Sequence, residues 1–415
     1  MKNINCVRIS NTKLTLFFVL VSMLVFSQND SIRVMSYNLM MYPSGTTYSR
    51  NTYLHDILNE YKPDILTVCE METSQAATDL LTDVLQPINP AYRAARFESN
   101  HSNPNVNLQQ LLYYNSEKLE LHSQTYLTTD IRDINKYTLY LKTTSLASGD
   151  TLFIDVYAMH LKASAGTTNE TKRLDMVRVL TEDLTHTPHD RYVLVTGDFN
   201  IYYASEPAYT ELTDSTNAVI LKDPIDSPGY WHNNSSYASL HTQSPNRNKG
   251  GNFVGGGLDD RFDFIMVSEN LMNSQNDLYY KTDTYSAYGN NGNCFNNDIN
   301  NTTCSGNYSQ TLRDNLYEMS DHIPVVMTLE TTQNFIGIEE FVRRKVSIFP
   351  NPVQDFLYIL PAEHAFYLIT DSAGKIVKSH LDGNDEKWYI GDLKPGVYYV
   401  YNENKTGLPA KFIKI

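Results

Sequence analysis

An apolar run stops at a glycine in Val193-Leu194-Val195-Thr196-Gly197-Asp198-Phe199-Asn200, and a carboxylate and a carboxamide follow. The run predicts a buried strand, and Gly197 marks its end. Asp198 and Asn200 are two residues apart, so both side chains can point the same way from the carboxyl end of the strand. An acid beside an amide donor suits water activation near a developing oxyanion. A tight turn is the alternative, because Gly, Asp and Asn are common turn residues.

Helix and strand signals alternate through the residues on either side of this stretch. Buried strands are predicted at 33–39, 64–70 and 261–267, and a last strand after residue 322. Helices are predicted at 48–61, 73–85 and 168–184, the last with an exposed basic face of Lys172, Arg173 and Arg178. Hairpins are predicted for 111–126 and 137–160. The opening unit of the chain is therefore strand, helix, strand.

Each of these strands ends in, or contains, one residue that can bind a metal, transfer a proton or hold an oxyanion. Besides the opening pair, the residues are Asn38, Glu70, His160, Asp263, and Asp321 with His322. One such residue at a strand end is a common coincidence. Their presence at every predicted strand mouth favours a shared site.

These side chains suit hydrolysis of a phosphate ester. Oxygen ligands from Asn38, Glu70 and Asp321 could hold a hard divalent cation such as Mg²⁺. Asp198 would orient or deprotonate the attacking water. His322, held by Asp263, would act as a base or as a cationic contact to the phosphate. His160 and Asn200 would donate hydrogen bonds to the phosphate oxygens.

Structural roles are the alternative for several of these residues. Asn38 could cap a strand end, and a lone histidine such as His160 is structural more often than catalytic. Asp321 and His322 could form an exposed turn. For Glu70 a functional role is favoured, because burying an unpaired carboxylate at the end of an apolar strand costs free energy.

The charge balance is acidic. Lys and Arg number 33 against 47 Asp and Glu, a net charge of −14. Such a chain has no general electrostatic attraction to nucleic acid or to an anionic membrane. Action on a polyanion would require metal ions and a local basic patch.

The amino terminus and the cysteines indicate export. A charged segment with Lys2, Arg8 and Lys13 precedes the apolar run 14–26, so residues 1–27 are predicted to be a cleaved signal peptide, with an uncleaved anchor as the alternative. Cys294 and Cys304 flank an Asn-rich loop and are expected to pair outside the cell. Cys69 is expected to be a buried free thiol.

The texture of the sequence changes after a linker at 331–342. Residues 343–415 contain short strands separated by turns, which predicts a small all-β sandwich. Four stretches in it are distinctive: 348–352 (IFPNP), 371–375 (DSAGK), 393–398 (LKPGVY) and the basic end 411–415 (KFIKI). Together they resemble the Por type A sorting domain of the Bacteroidetes type IX secretion system. The resemblance implies that the type IX machinery is a partner and that the protein is secreted or attached to the cell surface. A carbohydrate-binding or spacer domain is the alternative.

The polar strand ends are similar to the motifs of the endonuclease/exonuclease/phosphatase superfamily, the fold of deoxyribonuclease I. The matching stretches are SYN at Asn38, VCE at Glu70, MHL at His160, GDFN at 197–200, RFDFI at Asp263 and SDHIPV at 320–325. The resemblance implies a four-layered α/β/β/α sandwich over residues 28–330. It also implies a phosphoesterase that depends on Mg²⁺, or on Mn²⁺ or Ca²⁺.

By the same resemblance, Asn38, Glu70 and Asp321 belong to the metal site, and His160, Asp198, Asn200, Asp263 and His322 are catalytic. Cys69 departs from the family pattern, because many members have Gln before the glutamate. A missing contact behind the metal site is therefore expected.

Three functions remain open at this stage. The first is a secreted nuclease, the second a phosphodiesterase or phosphatase for phospholipid or a small ester, and the third a non-catalytic surface binding protein. An exposed apolar hairpin would favour the phospholipid enzyme. Specificity is expected to depend on the loops 98–109 and 226–257, which contain no motif.

Overall fold

A computed structural model describes residues 30–336, 347–360, 366–372, 374–382, 387–402 and 409–415. The predicted signal peptide and residues 337–342 of the predicted linker lie outside the described residues. Among the described helices, none combines the length and the apolar character that a membrane crossing requires.

Two mixed β-sheets form the centre of residues 30–336. The first sheet has the order β11-β13-β1-β2-β4-β3, with β12 also paired to β13, and the second has the order β5-β6-β7-β8-β10-β9. The strands of the first sheet are β1 (Asp30–Tyr42), β2 (Ile65–Met71), β3 (Tyr92–Ala94), β4 (Gln109–Asn115), β11 (Leu278–Tyr280), β12 (Ser286–Ala287) and β13 (Val325–Thr331). Those of the second are β5 (Leu119–Leu127), β6 (Ile134–Leu141), β7 (Phe153–His160), β8 (Tyr192–Asp198), β9 (Leu221–Lys222) and β10 (Asp263–Ser268).

Helices cover the outer face of each sheet. They are α1 (Asn51–Tyr61), α2 (Ser74–Asp79), α3 (Gln86–Ile88), α4 (Thr167–Leu184), α5 (Pro207–Leu212) and α6 (Gln310–Met319). A π-helical turn at Leu80–Leu85 joins α2 to α3. Apolar residues of α1, α2 and α6 pack in one core with the first sheet, and those of α4 and α5 pack in a second core with the second sheet.

The side chains of β8 show how the layers fit together. Val193 and Val195 lie in the core shared with α4 and α5, whereas Leu194 lies in the core shared with the first sheet. Successive strand residues point to opposite faces, so a strand covered on both faces needs an uninterrupted apolar run. The predicted four-layered α/β/β/α sandwich is confirmed.

The predicted hairpin at 111–126 is wrong. β4 pairs with β2 and β3 in the first sheet, while β5 pairs with β6 in the second. The chain therefore crosses between the sheets within the short connection that sequence reasoning took for a hairpin turn. The second predicted hairpin is present, because β6 and β7 pair antiparallel.

The predicted basic face of α4 is wrong at Arg173. Lys172 and Arg178 are exposed, but Arg173 is completely buried. Its Nε donates to Glu206 Oε2 at 2.8 Å, and its Nη1 donates to the Lys162 carbonyl at 2.8 Å. A buried guanidinium needs such partners, and Glu206 lies far enough along the chain to escape a local pattern.

The C-terminal residues form the predicted all-β domain. A three-stranded sheet contains β14 (Ser347–Phe349), β15 (Phe356–Leu360) and β18 (Lys387–Tyr389), and a four-stranded sheet contains β16 (Phe366–Asp371), β17 (Ile376–Asp382), β19 (Gly396–Asn402) and β20 (Ala410–Lys414). The two sheets share an apolar core around Leu357, Trp388 and Phe412.

Both expectations about the cysteines are confirmed. Cys294 and Cys304 form a disulfide that closes the Asn-rich loop, with their Cα atoms 5.3 Å apart. Cys69 is a buried free thiol in β2.

Gly197 is required by the close approach of β7 and β8. The two strands are parallel and pair Met159 with Gly197. The backbone of Gly197 has a φ of +134°, and a Cβ at this position would lie 1.9 Å from the Met159 carbonyl oxygen. Only glycine fits there, which explains why the apolar run stops at this residue.

We expect Gly197→Ala to destabilise the domain by about 3–5 kcal/mol, because backbone atoms must move to admit the methyl group. Gly149 is a matched control: its φ is +88°, but an added Cβ would meet nothing within 4 Å. Gly149→Ala should cost about 1–2 kcal/mol, from the left-handed backbone alone. Thermal or denaturant unfolding of the two variants measures the difference, and equal losses would contradict this account.

Candidate active site

Parallel pairing places Asn38 beside Glu70 in the first sheet. β1 and β2 run in the same direction and pair Asn38 with Cys69, the residue before Glu70. β13 lies on the other side of β1, and Asp321 and His322 precede it. Ser320 fastens this junction, because its hydroxyl donates to the Asn38 carbonyl at 2.7 Å and accepts from the His322 backbone N–H at 3.2 Å.

The second sheet supplies a row of three side chains. β8 lies between β7 and β10, and the register pairs Asp198 with His160 on one side and with Asp263 on the other. All three residues are buried. The residues predicted from separate strand ends therefore occupy neighbouring positions across three strands.

Asn38 joins the two sheets. Its Nδ2 lies 3.2 Å from Glu70 Oε1 and 3.1 Å from Asp198 Oδ2. Its Oδ1 accepts from the Met40 backbone N–H at 3.0 Å. In this arrangement Asn38 offers hydrogen-bond donors to both carboxylates, and its oxygen faces the backbone.

Left-handed backbone surrounds these carboxylates. Glu70 has a φ of 64°, Met41 of 43° and Asn200 of 51°. Such conformations are costly for residues other than glycine and cluster at functional sites. Here they aim backbone donors, because Met41 N–H donates to Glu70 Oε2 at 2.8 Å and Asn200 N–H donates to Asp198 Oδ1 at 3.0 Å.

His322 and Asp263 form the predicted pair. Nδ1 of His322 lies 2.7 Å from Asp263 Oδ2, and its Nε2 lies 3.7 Å from Asp198 Oδ2. Burial alone would lower the pKa of His322, but the carboxylates of Asp263 and Asp198 outweigh it and raise the pKa well above its usual range. His322 is therefore a cation aimed at Asp198 at neutral pH.

His160 approaches Asp198 from the other side. Its Nε2 lies 3.4 Å from Asp198 Oδ2, and its Nδ1 lies 3.9 Å from Glu70 Oε1. Burial lowers the pKa of His160 well below its usual range, and the charges of Arg132 and His322 lower it further. His160 is thus a neutral imidazole, and its buried Nδ1 has no hydrogen-bond partner among the described residues.

Asp198 is the electrostatic centre of the group. Burial raises its pKa to about 7; His322 acts in the opposite direction, and the charges of Asp263 and Glu70 add to the rise. A carboxylate with a pKa near neutrality can accept a proton and return it at physiological pH.

The carboxylates fit a divalent cation. Burial raises the pKa of Asp321; the charge of His322 acts in the opposite direction, and the charge of Glu70 adds to the rise. One Asp321 oxygen accepts from the Val254 N–H at 3.0 Å. Clustered carboxylate oxygens are the donors that Mg²⁺, Mn²⁺ and Ca²⁺ prefer.

One set of three side chains at this site is close enough to share a cation. Atoms of Asp198, Asp263 and His322 lie within 4.8 Å of one another. The short His322–Asp263 hydrogen bond already occupies two of these atoms.

Sequence reasoning missed Arg132. This residue lies in the loop before β6, and its Nη1 donates to the carbonyls of His160 at 3.2 Å and Leu161 at 3.0 Å. The Leu161 carbonyl also accepts from Asn200 Nδ2 at 3.4 Å. Burial lowers the pKa of the Arg132 guanidinium, and the charges of Glu70 and Asp198 act in the opposite direction. A loop arginine carries no periodic signal, so no pattern could identify it.

A small basic patch continues outward from Arg132. Burial lowers the pKa of Lys162, and the charges of Arg132, Lys172 and the buried Arg173 lower it further, so each of these cations acts on Lys162. Such a patch supplies the local positive charge that an acidic protein requires to approach an anionic substrate.

The comparisons with known proteins concern the C-terminal domain and the larger domain separately. Residues 347–415 match the family model described as secretion system C-terminal sorting domain. No curated protein matches the chain.

Three solved structures illustrate the likeness of the larger domain. The human Nocturnin catalytic domain with bound sulfate anion is 18% identical over 73% of this chain and 95% of its own, with a TM-score of 0.44. D. rerio TDP2 complexed with single strand DNA product is 15% identical over 73% of this chain and 100% of its own, with a TM-score of 0.46. The endonuclease/exonuclease/phosphatase from Bacteroides vulgatus is 14% identical over 73% of this chain and 99% of its own, with a TM-score of 0.47.

The chain therefore carries a C-terminal secretion sorting domain after an α/β/β/α sandwich, and the protein is secreted or attached to the cell surface.

Proposed function

We propose that the protein is an exported, divalent-metal-dependent phosphodiesterase that cleaves nucleic acid. The observation that carries the proposal is that three side-chain nitrogen atoms converge on one carboxylate oxygen, Asp198 Oδ2. It lies 3.1 Å from Asn38 Nδ2, 3.4 Å from His160 Nε2 and 3.7 Å from His322 Nε2. Donors converging on a carboxylate of raised pKa are what hydrolysis of a phosphate ester requires.

The residues divide the work as follows. Asp198 orients the attacking water and accepts its proton as the new phosphorus–oxygen bond forms. His322, kept cationic by Asp263, stabilises the negative charge that develops on the phosphoryl oxygens. Neutral His160 and the Asn200 amide donate to the same oxygens. The ester bond to the leaving oxygen then breaks.

Glu70 and Asp321 would hold the divalent cation, with Asn38 beside them. When bound, the cation polarises the phosphoryl group and neutralises charge on the leaving oxygen. Asn38 holds the carboxylates of Glu70 and Asp198 at a fixed separation, because its amide donates to both.

Two observations favour nucleic acid over phospholipid. The patch of Arg132, Lys162 and Lys172 gives an acidic protein a local attraction to a polyanion. The loop 226–257, which the structure describes throughout, contains no β-hairpin, and its exposed large apolar side chains are Tyr230 and Val254. The apolar hairpin expected of a phospholipid enzyme is therefore absent from this loop.

A substrate panel tests the proposal. The purified chain is incubated with single- and double-stranded DNA, RNA, phospholipid vesicles and sugar phosphates, in Mg²⁺, Mn²⁺ or Ca²⁺ and with a chelator. We expect scission of nucleic acid that the chelator abolishes. Release of a phosphorylated headgroup or of inorganic phosphate without any scission would contradict the proposal.

Glu70→Gln should weaken Mn²⁺ or Mg²⁺ binding about 10- to 100-fold, because a charged ligand becomes neutral. Glu72→Gln is a matched control, since Glu72 lies two residues away and bonds to Ser44. Titration calorimetry of both variants measures the metal affinity without reference to activity. Equal affinities would remove Glu70 from the metal site.

Arg132→Ala should lower kcat/KM for nucleic acid about 10- to 100-fold, the loss expected for one hydrogen bond to a charged group. Arg132→Lys keeps the charge and should recover part of the loss. Arg93→Ala is the control, because Arg93 is exposed and its Nη1 bonds to the nearby carbonyls of Pro90 and Tyr92. Unchanged steady-state kinetics for Arg132→Ala would show that the guanidinium does not contact the substrate.

A further inference from the structure

Two stacked tyrosine rings, one of them three residues after Asn200, have no role in the reaction described above. Tyr203 and Tyr230 stack with their ring centroids 5.6 Å apart and their planes 7° from parallel. Tyr230 is 56% exposed, so much of its ring faces solvent. We call this pair the tyrosine shelf. Exposed aromatic faces stack readily on flat rings of a ligand.

The shelf is held in place by its neighbours. The Ala204 N–H donates to the Gly229 carbonyl at 2.7 Å, and the Trp231 N–H donates to the Tyr202 carbonyl at 3.1 Å. The Tyr203 hydroxyl donates to Glu170 Oε1 at 2.9 Å. Trp231 is completely buried beneath this segment. These contacts hold the backbone of both residues and the Tyr203 ring, and the Tyr230 ring packs on Tyr203, so ordering the shelf around a stacked ligand costs little conformational entropy.

A series of contacts connects the shelf to the active site. Tyr203 follows Asn200 by three residues. His232 contacts the Tyr230 ring at a centroid distance of 6.3 Å, and its Nδ1 lies 2.8 Å from Asp260 Oδ1. The backbone of Gln243 pairs with Asp260 on one side and with His322 on the other. Gln243, Asp260 and His232 therefore link His322 to the shelf.

The charges at this edge exclude a second phosphate group. His232, Asp259 and Asp260 carry polar atoms within 4.8 Å of one another, and burial raises the pKa of Asp260 to about 6. Acidic side chains repel phosphate, but a carboxylate accepts readily from the exocyclic amino group of a base. The edge is thus suited to a neutral flat ring that carries amino groups.

We propose that the tyrosine shelf stacks a nucleobase next to the scissile phosphate and makes the protein prefer unpaired strands. This inference rests on the proposed function, because it assigns the base to the substrate of the same site. A base that stacks on protein must leave its own helix, which costs less in a single strand. The basic patch then binds the backbone, while the shelf binds a base.

Walking one abasic residue along a single-stranded oligonucleotide tests the shelf. Tyr230→Ala should lower kcat/KM for the intact strand about 10- to 100-fold, whereas Tyr230→Phe should retain it. For the wild-type protein, an abasic residue at one position of the strand should lower kcat/KM by the same factor, because the base that stacks on the shelf is missing. At that position Tyr230→Ala should lose nothing more, because base and ring form one interaction. Tyr389→Ala, at an equally exposed residue of the C-terminal domain (56%), should leave the rate unchanged.

Binding of a labelled oligonucleotide in a chelator separates the two hypotheses. If wild type cleaves nucleic acid but Tyr230→Ala loses neither rate nor affinity, or loses the same factor at every abasic position, the shelf is overturned and the function stands. If wild type cleaves nothing but Tyr230→Ala still weakens binding, the function fails and the shelf stands. An absence of both cleavage and binding overturns both.

Discussion

Four carboxylates lie together where the two sheets meet, and their mutual repulsion is the constraint on which the active site depends. Asp198, Asp263 and Asp321 are buried, and Glu70 is close to them. Carboxylates in such a place must be protonated, paired with cations or bonded to donors. The protein uses all three means. The pKa of Asp198 rises to about 7, His322 is cationic, and the Asn38 amide donates to two of the carboxylates. A divalent cation and an anionic substrate fit into a site that is already balanced in this way.

The sandwich makes such a site possible because strands covered on both faces can end together at one edge. The same feature explains why much of the site could be predicted from sequence. An apolar strand that carries one polar residue near one of its ends is a local pattern, and it repeats at Asn38, Glu70, His160, Asp198 and Asp263. The pattern does not show which strands pair with each other. The hairpin prediction for 111–126 failed for that reason, because adjacent strands in sequence joined different sheets.

Long-range partners account for the other differences between prediction and structure. Arg173 has the spacing of an exposed helix residue, but Glu206 provides a buried partner 33 positions away. Arg132 lies in a loop, where nothing in the sequence marks its approach to Glu70 and Asp198. The orientation of the Asn38 amide depends on two carboxylates and the Met40 backbone, of which only Met40 is near in sequence. The C-terminal domain was simpler, since its short strands and turns are local signals and its motifs match a sorting domain. Export also accounts for the disulfide between Cys294 and Cys304, since such bonds persist outside the cell.

The measurement that tests the central claim most directly is the single-turnover rate of phosphodiester cleavage by Asp198→Asn. Asparagine keeps the shape of the residue but cannot accept a proton from water. If Asp198 handles the attacking water, the rate should fall about 10³-fold or more while the unfolding temperature is unchanged or higher, because a buried charge has been removed. A rate within a few-fold of wild type would show that the chemistry is centred on another residue.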